Sequence, residues 1–362
     1  MADLPQQPVS TPESPLRSVK TYKALFPVLI GLGVVGFLFY REFRPEAMSF
    51  VSWSWDVFLW FFVALLFMLG RDLGYVWRIR ILSEGRLSFI QALRVIMLWE
   101  FTSAITPSAI GGTSVAILYV TKEGLSVGRS SAVVMATSFL DEIYFLVMFP
   151  ILLLLVGGTQ LFSIGGDAFS WTGGLFLVAS LGYAIKAVYV GILAYGFFVN
   201  PRGLKWLLLK IFKLPVLRRW KQGAHQAGTE IIQTSQEFRR KPFRYWFKAF
   251  LATFLSWTSR YWVVNAILLA FFAVNDHFLI FARQLVMWIM MLVSPTPGGS
   301  GFAEYVFTRY LGDFIPVAPE HLGAVAIVLA FIWRLATYYP YLIVGVFLLP
   351  KWMRKHFLTT KK

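Results

Sequence analysis

Apolar residues run through this chain in long stretches separated by short polar ones. A helix needs about 20 apolar residues to cross the hydrocarbon core, and stretches of that order fall at about 24–40, 51–70, 130–155, 172–198, 249–272 and 322–349. The pattern predicts six full transmembrane helices. Two more apolar stretches, 88–121 and 278–311, are each interrupted near the middle. The first carries Thr106-Pro107-Ser108-Ala109-Ile110-Gly111-Gly112, the second Ser294-Pro295-Thr296-Pro297-Gly298-Gly299-Ser300-Gly301. The arms after the breaks, about 11–12 residues at about 1.5 Å per residue, are too short to cross alone. We read both stretches as re-entrant hairpins, because irregular backbone survives at membrane depth only inside protein or beside a wet cavity. Two thin crossings per stretch is the plainer alternative, and it leaves the flanking loops on the same sides.

Composition agrees with this class and narrows it. Of 362 residues, 57% are apolar and 14% charged, with a mean hydropathy of +0.65, so the chain cannot cover a water-facing surface with charge. There is no cysteine, which excludes disulfides, thiolate metal sites and Cys nucleophiles. The net charge of +16 would signal nucleic acid in a soluble protein, but here the basic residues track one set of loops. They fall in the tail 1–23, in 71–86 (Arg71, Arg78, Arg80, Arg86), at Lys122 and Arg129, in 199–248 and after 350. Loops 156–171, 273–277 and 312–321 have no Lys or Arg. The positive-inside rule then places both termini in the cytoplasm, with the protein integral to the cytoplasmic (inner) membrane. No nucleic-acid partner is expected.

The expected organisation is a disordered cytoplasmic tail at 1–23, a membrane half at 24–198, a basic cytoplasmic linker at 199–248, a second membrane half at 249–350 and a basic tail at 351–362. Within the linker, 203–221 is basic and aromatic, and reads either as an interfacial helix on anionic inner-leaflet headgroups or as a plain basic linker. Each half has a span, a broken hairpin and a span, in opposite orientations. Inverted repeats with paired Pro/Gly-broken segments point to a transporter whose site lies between the halves. The fold class is therefore an all-α polytopic membrane protein with an inverted-topology repeat. Self-association is left open.

Charges inside apolar stretches are the candidate site. The basic ones are Arg94, Lys186, Arg260, Arg283, Arg309 and Arg334; the acidic ones are Asp56, Glu100, Asp141, Glu142 and Glu304. A charge at the bilayer centre costs about 2.5–3.5 kcal/mol on insertion scales, so such residues face the bundle interior and commonly serve a site. Headgroup contacts are expected from Arg260, Arg334, Arg283, Lys186, Asp141, Glu142 and Glu304. Mutual pairing as packing latches, for example Arg334 with Asp141 or Arg260 with Glu304, is the plainer alternative. The hairpin tips Pro107, Gly111, Gly112, Thr113, Pro295, Pro297, Gly298, Gly299, Ser300 and Gly301 add free N–H groups at helix starts, which attract anions; Thr113 and Ser300 also read as simple caps. No phosphate loop and no metal-ligand cluster occurs, and neither metal nor cofactor is expected.

The broken segments Pro107-Ser108-Ala109-Ile110-Gly111-Gly112 and Pro295-Thr296-Pro297-Gly298-Gly299-Ser300-Gly301-Phe302-Ala303-Glu304 resemble the flippase-like, lysylphosphatidylglycerol synthase transmembrane-region family, the membrane half of the multiple-peptide-resistance factors. The second motif, P-x-P-G-G-x-G-x-x-E, fits residue for residue. Ser138-Phe139-Leu140-Asp141-Glu142 falls where the family carries a basic residue after an acidic or polar one; here both positions are acidic. The resemblance covers about residues 20–350 and includes no soluble aminoacyl-transferase domain. It implies a lipid translocase without synthase activity, acting on membrane lipids such as aminoacylated phosphatidylglycerol or a prenyl-linked lipid. An integral-membrane transferase on lipid-linked substrates and a non-transporting scaffold are the alternatives.

Overall fold

A computed structural model describes residues 54–106, 109–162, 174–200, 232–291 and 302–358, with isolated positions between 202 and 229. The expected span at 24–40, the tail 1–23, nearly all of 203–221 and the tips at Pro107 and 295–301 lie outside the described residues. Among the described residues every regular element is helical.

In chain order the helices are α1 (Trp55–Leu82), α2 (Phe89–Ile105), α3 (Ala109–Lys122), α4 (Val127–Val156), α5 (Gly158–Phe162), α6 (Gly174–Ala194), α7 (Phe243–Phe271), α8 (His277–Met291), α9 (Phe302–Leu311), α10 (Pro319–Thr337) and α11 (Tyr339–Met353). Among the described residues, three runs are long and apolar enough to cross a membrane: α1, α4 and the run Pro319–Phe357. Their outer faces are apolar. On α1, Phe58, Leu59, Phe62, Leu65, Leu66, Leu69 and Leu73 are exposed at helical spacing, a stripe that water would not tolerate and lipid does.

Local chemistry sets the ends. Ser54 caps α1, and Ser88 with Gln91 forms a reciprocal capping box on α2. Ser126 caps α4, which runs through Pro150 and stops at Gly157 with φ 86°, a left-handed value that suits glycine. Thr106 ends α2 in an extended conformation, φ −97° and ψ 136°, as a residue before proline prefers.

Three expected boundaries shift. The span expected at 51–70 continues to Leu82, so Arg71, Arg78 and Arg80 are helical residues and not part of a loop. Partly buried carboxylates and the buried hydroxyls of Tyr341 and Thr253 receive Arg71 and Arg78, which lets the helix carry them. The span expected at 322–349 is two helices, α10 and α11, meeting at Tyr338 just before Pro340, whose ring cannot continue a helix through its own first turn. The first tip also moves: α3 is already helical at Ala109, so Gly111, Gly112 and Thr113 occupy its first turns, and the break precedes them.

The most extensive pairing is α1 against α7. They run antiparallel, with Gly70 facing Ser259 and Gly74 facing Ser256. A Cβ on Gly74 would lie 2.3 Å from Ser256 Oγ and 2.8 Å from the Ala252 carbonyl, so only glycine permits this approach. Around that pair, α2 packs on α3 and α11, α8 on α9 and α4, α3 on α4, and α9 on α10.

The polar loops gather at two ends. At one, Arg129 meets Glu84 and Glu237 at 2.7 Å each, and Lys241 meets Glu84 at 2.9 Å. There Glu123 also receives Arg94 at 2.7 Å and Trp352 Nε1 at 3.0 Å. At the other end Arg283 holds Asp313 at 2.7 Å and donates to the Gln160 and Tyr310 carbonyls at 3.1 Å.

Candidate functional site: charges buried at the helix crossing

Between those ends lies a chain of buried charge built mainly on α1. Arg71 and Arg78 are seven residues apart, two helical turns, and therefore share a face, with Tyr75 between them. The Tyr75 ring lies 4.8 Å from each guanidinium carbon, a double cation–π contact. Arg71 is fully buried. Its Nη1 donates to Asp72 Oδ1 at 2.8 Å and to the Tyr341 hydroxyl at 2.6 Å, and its Nη2 lies 2.6 Å from Glu100 Oε2. Tyr341 in turn donates to both oxygens of Asp72, at 2.8 and 3.0 Å. This knot joins α1, α2 and α11.

Arg78 pairs with Asp141 through both carboxylate oxygens and donates to Thr253 Oγ1 at 3.3 Å. Trp257 Nε1 donates to Asp141 Oδ1 at 2.6 Å. Asp141 and Trp257 lie at the midpoints of α4 and α7, so this second knot joins α1, α4 and α7 at mid-depth. Arg260 stands beside it, its guanidinium carbon 5.5 Å from the Trp257 ring and 4.7 Å from the Trp288 ring. Among the described residues no carboxylate lies within ion-pair distance of Arg260.

The candidate residues separate into groups. Asp141 and Arg260 come together through Trp257. Arg334 is buried over the Tyr338 ring at 4.3 Å, and the Tyr338 hydroxyl donates to the Ala104 carbonyl at 2.9 Å, which places it at the end of α2 beside the first break. Glu142 points away from Asp141, as adjacent helical residues do, and binds Lys186 of α6 at 2.5 Å, with Lys186 also 4.7 Å over the Phe145 ring. Arg283 sits apart, at the far end, in its contact with Asp313. The Glu304 side chain and the tips 295–301 lie outside the described residues. The anticipated pairing of Arg334 with Asp141 does not form: the partner of Asp141 is Arg78.

Arg71, Asp72, Tyr75, Arg78, Trp257 and Tyr341 were not among the candidates. One signal was available: on a helix extended past residue 70, Arg71 and Arg78 fall on the face of Gly74 and Tyr75, opposite the lipid-facing Leu69 and Leu73. Burial of so many charges in apolar helices is costly, and it persists where it holds register or serves a ligand.

A family described as "Lysylphosphatidylglycerol synthase TM region" matches residues 24–345. The chain is also similar to a UPF0104 membrane protein of Archaeoglobus fulgidus, 27% identical over 300 residues that cover 79% of this chain and 85% of that one.

Proposed function

The chain belongs to the lysylphosphatidylglycerol synthase TM region family of integral membrane proteins, and from that premise we propose that it is a flippase-like lipid translocase. It moves a lipid with a polar or anionic headgroup between leaflets, the cytoplasmic (inner) membrane being its site and its termini cytoplasmic. The headgroup enters between two inverted halves and meets Arg260 and Arg334, while its chains stay in lipid.

The observation that carries this reading is the mid-depth knot of Arg78, Asp141 and Trp257 beside Arg260, at the contact between the halves. Two features of the packing support it. The short helices α3 and α9, 14 and 10 residues, fit arms that enter and return without crossing. Exchanging α1–α4 for α7–α10/α11 also preserves the contacts: α2 on α11 matches α8 on α4, α3 on α4 matches α9 on α10, and α1 on α2 matches α7 on α8. Antiparallel packing of the two leading helices is what opposite-facing repeats require.

The test is a leaflet-resolved assay in proteoliposomes with fluorescently tagged phosphatidylglycerol and an impermeant quencher. The full chain should speed leaflet exchange over empty liposomes, and Arg260→Ala and Arg334→Ala should each abolish the gain while the protein remains folded. Exchange equal to that of empty liposomes overturns the proposal. Turnover of a lipid-linked substrate in detergent, where no second leaflet exists, would show a transferase instead.

A further inference from the structure

The knot at Arg71 does not balance its charge. One guanidinium, fully buried, faces two carboxylates, Asp72 and Glu100. Among the described residues, Arg71 alone is a cation within ion-pair distance of Asp72 and Glu100. On α1, Arg78 is held by Asp141 of α4. On α7, Ser256 donates to the Arg71 carbonyl at 2.9 Å, and Arg260 stands over Trp257 and Trp288. On α10, Arg334 stacks on Tyr338. Besides Arg71 and Asp72, the titratable groups facing the knot are Glu100 of α2, Tyr75 of α1 and Tyr341 of α11. Arg71 Nε is buried with no hydrogen-bond partner among the described residues, so no further fixed acceptor shares this cation.

An excess negative charge away from water is expensive, and a proton is the smallest ligand that removes it without repacking the helices. Access is graded in the right sense. The Arg71 side chain is 0% exposed, whereas those of Asp72 and Glu100 are 18% and 26% exposed, so the cation is enclosed while the carboxylates border open space. We propose that Asp72, held by Arg71 and Tyr341 and faced by Glu100 across the same guanidinium, binds one exchangeable proton whose occupancy sets the tie between α1 and α11. In the ionised state the Tyr341 hydroxyl donates to both Asp72 oxygens. When a proton from solvent forms an O–H bond on the Asp72 carboxylate, no other covalent bond breaks, but one Asp72 oxygen becomes a donor and the Tyr341 hydroxyl keeps only the remaining C=O oxygen as acceptor, which weakens the tie. The proton thus acts on α1 and α11, helices that belong to opposite halves.

Infrared difference spectroscopy of the full chain in liposomes, titrated from alkaline to acidic pH, tests this. The carboxylic C=O band of one titrating group is expected in the wild type. Asp72→Asn and Glu100→Gln, which keep shape, should each abolish or displace it. Tyr341→Phe removes one hydrogen bond to the anion and should move its midpoint toward higher pH. A band indifferent to all three substitutions overturns the proposal, as does one that appears only when sodium is varied, which would make the ligand a metal cation. The site does not require lipid movement: a chain that shows the band but leaves tagged lipid where it was keeps the proton site and loses the translocase.

Discussion

The helix crossing and the loop ends solve the same electrostatic problem in different surroundings. At the end where Arg129 meets Glu84 and Glu237, the arginine is buried but its acidic partners are partly exposed, 31% and 50%, and water shares their charge. At the crossing, Arg71 and Arg78 are buried and their carboxylate partners are less exposed, 18% to 26%. A surface ion pair is worth about 0.2–1 kcal/mol, whereas removing one partner of a buried pair costs about 3–5 kcal/mol because the other is stranded. Ion pairs at the ends can therefore be lost cheaply, and those at the crossing cannot.

The largest effect should come from Arg71→Met, which keeps the bulk and removes the charge. Asp72 and Glu100 would then face each other without a cation, and a loss of about 3–5 kcal/mol is expected, read as a lower midpoint in thermal unfolding in detergent. Adding Asp72→Asn and Glu100→Gln should recover part of it. A triple variant no better than Arg71→Met alone would mean that packing, not charge, dominates there.

Next is the glycine that lets the two leading helices touch. Gly74→Val places methyls against Ser256 Oγ and the Ala252 carbonyl, and overpacking of this kind costs about 1–3 kcal/mol. Gly191→Ala on α6, where no atom lies within 4 Å of the new Cβ, is the control and should leave the midpoint unchanged. Equal effects at the two positions would remove the crossing's special status.

What could be read in advance follows from the same contrast. Hydropathy marks where helices run, and α4, α6 and α7 lie close to their expected spans because long apolar runs have one solution in lipid. It misleads where a helix keeps going through charge. Arg71 and Arg78 look like loop residues in a one-dimensional count, since their carboxylate and tyrosine partners on α2, α4 and α11 lie up to 270 residues away. Pairing is equally invisible: Asp141 and Glu142 are adjacent in sequence yet serve different helices, through Arg78 on α1 and Lys186 on α6. Arg260 and Asp141 were identifiable as deep charges, but not that Trp257 brings them together.

At the ends, Arg129→Gln should cost no more than about 1 kcal/mol per pair lost, and added salt should shrink the difference from wild type, while salt leaves the Arg71→Met difference nearly intact. Equal salt sensitivity at both places would mean that the crossing is screened as fully as the ends are.

The smallest effect is a pH dependence at Glu84. Burial pushes its carboxyl up, but Lys241 and Arg129 outweigh that and hold it below its ordinary value of 4.5. Because the folded value lies below the unfolded one, Glu84 adds stability above the unfolded value, and that share is lost as pH falls through the folded one. Glu84→Gln should therefore unfold at a lower temperature than wild type near neutral pH. The gap should close as pH drops through and below the ordinary carboxylate range. A gap that stays constant with pH would show that the Glu84 side chain acts by packing in the turn, where its φ of 55° already sets it apart, and not by its charge.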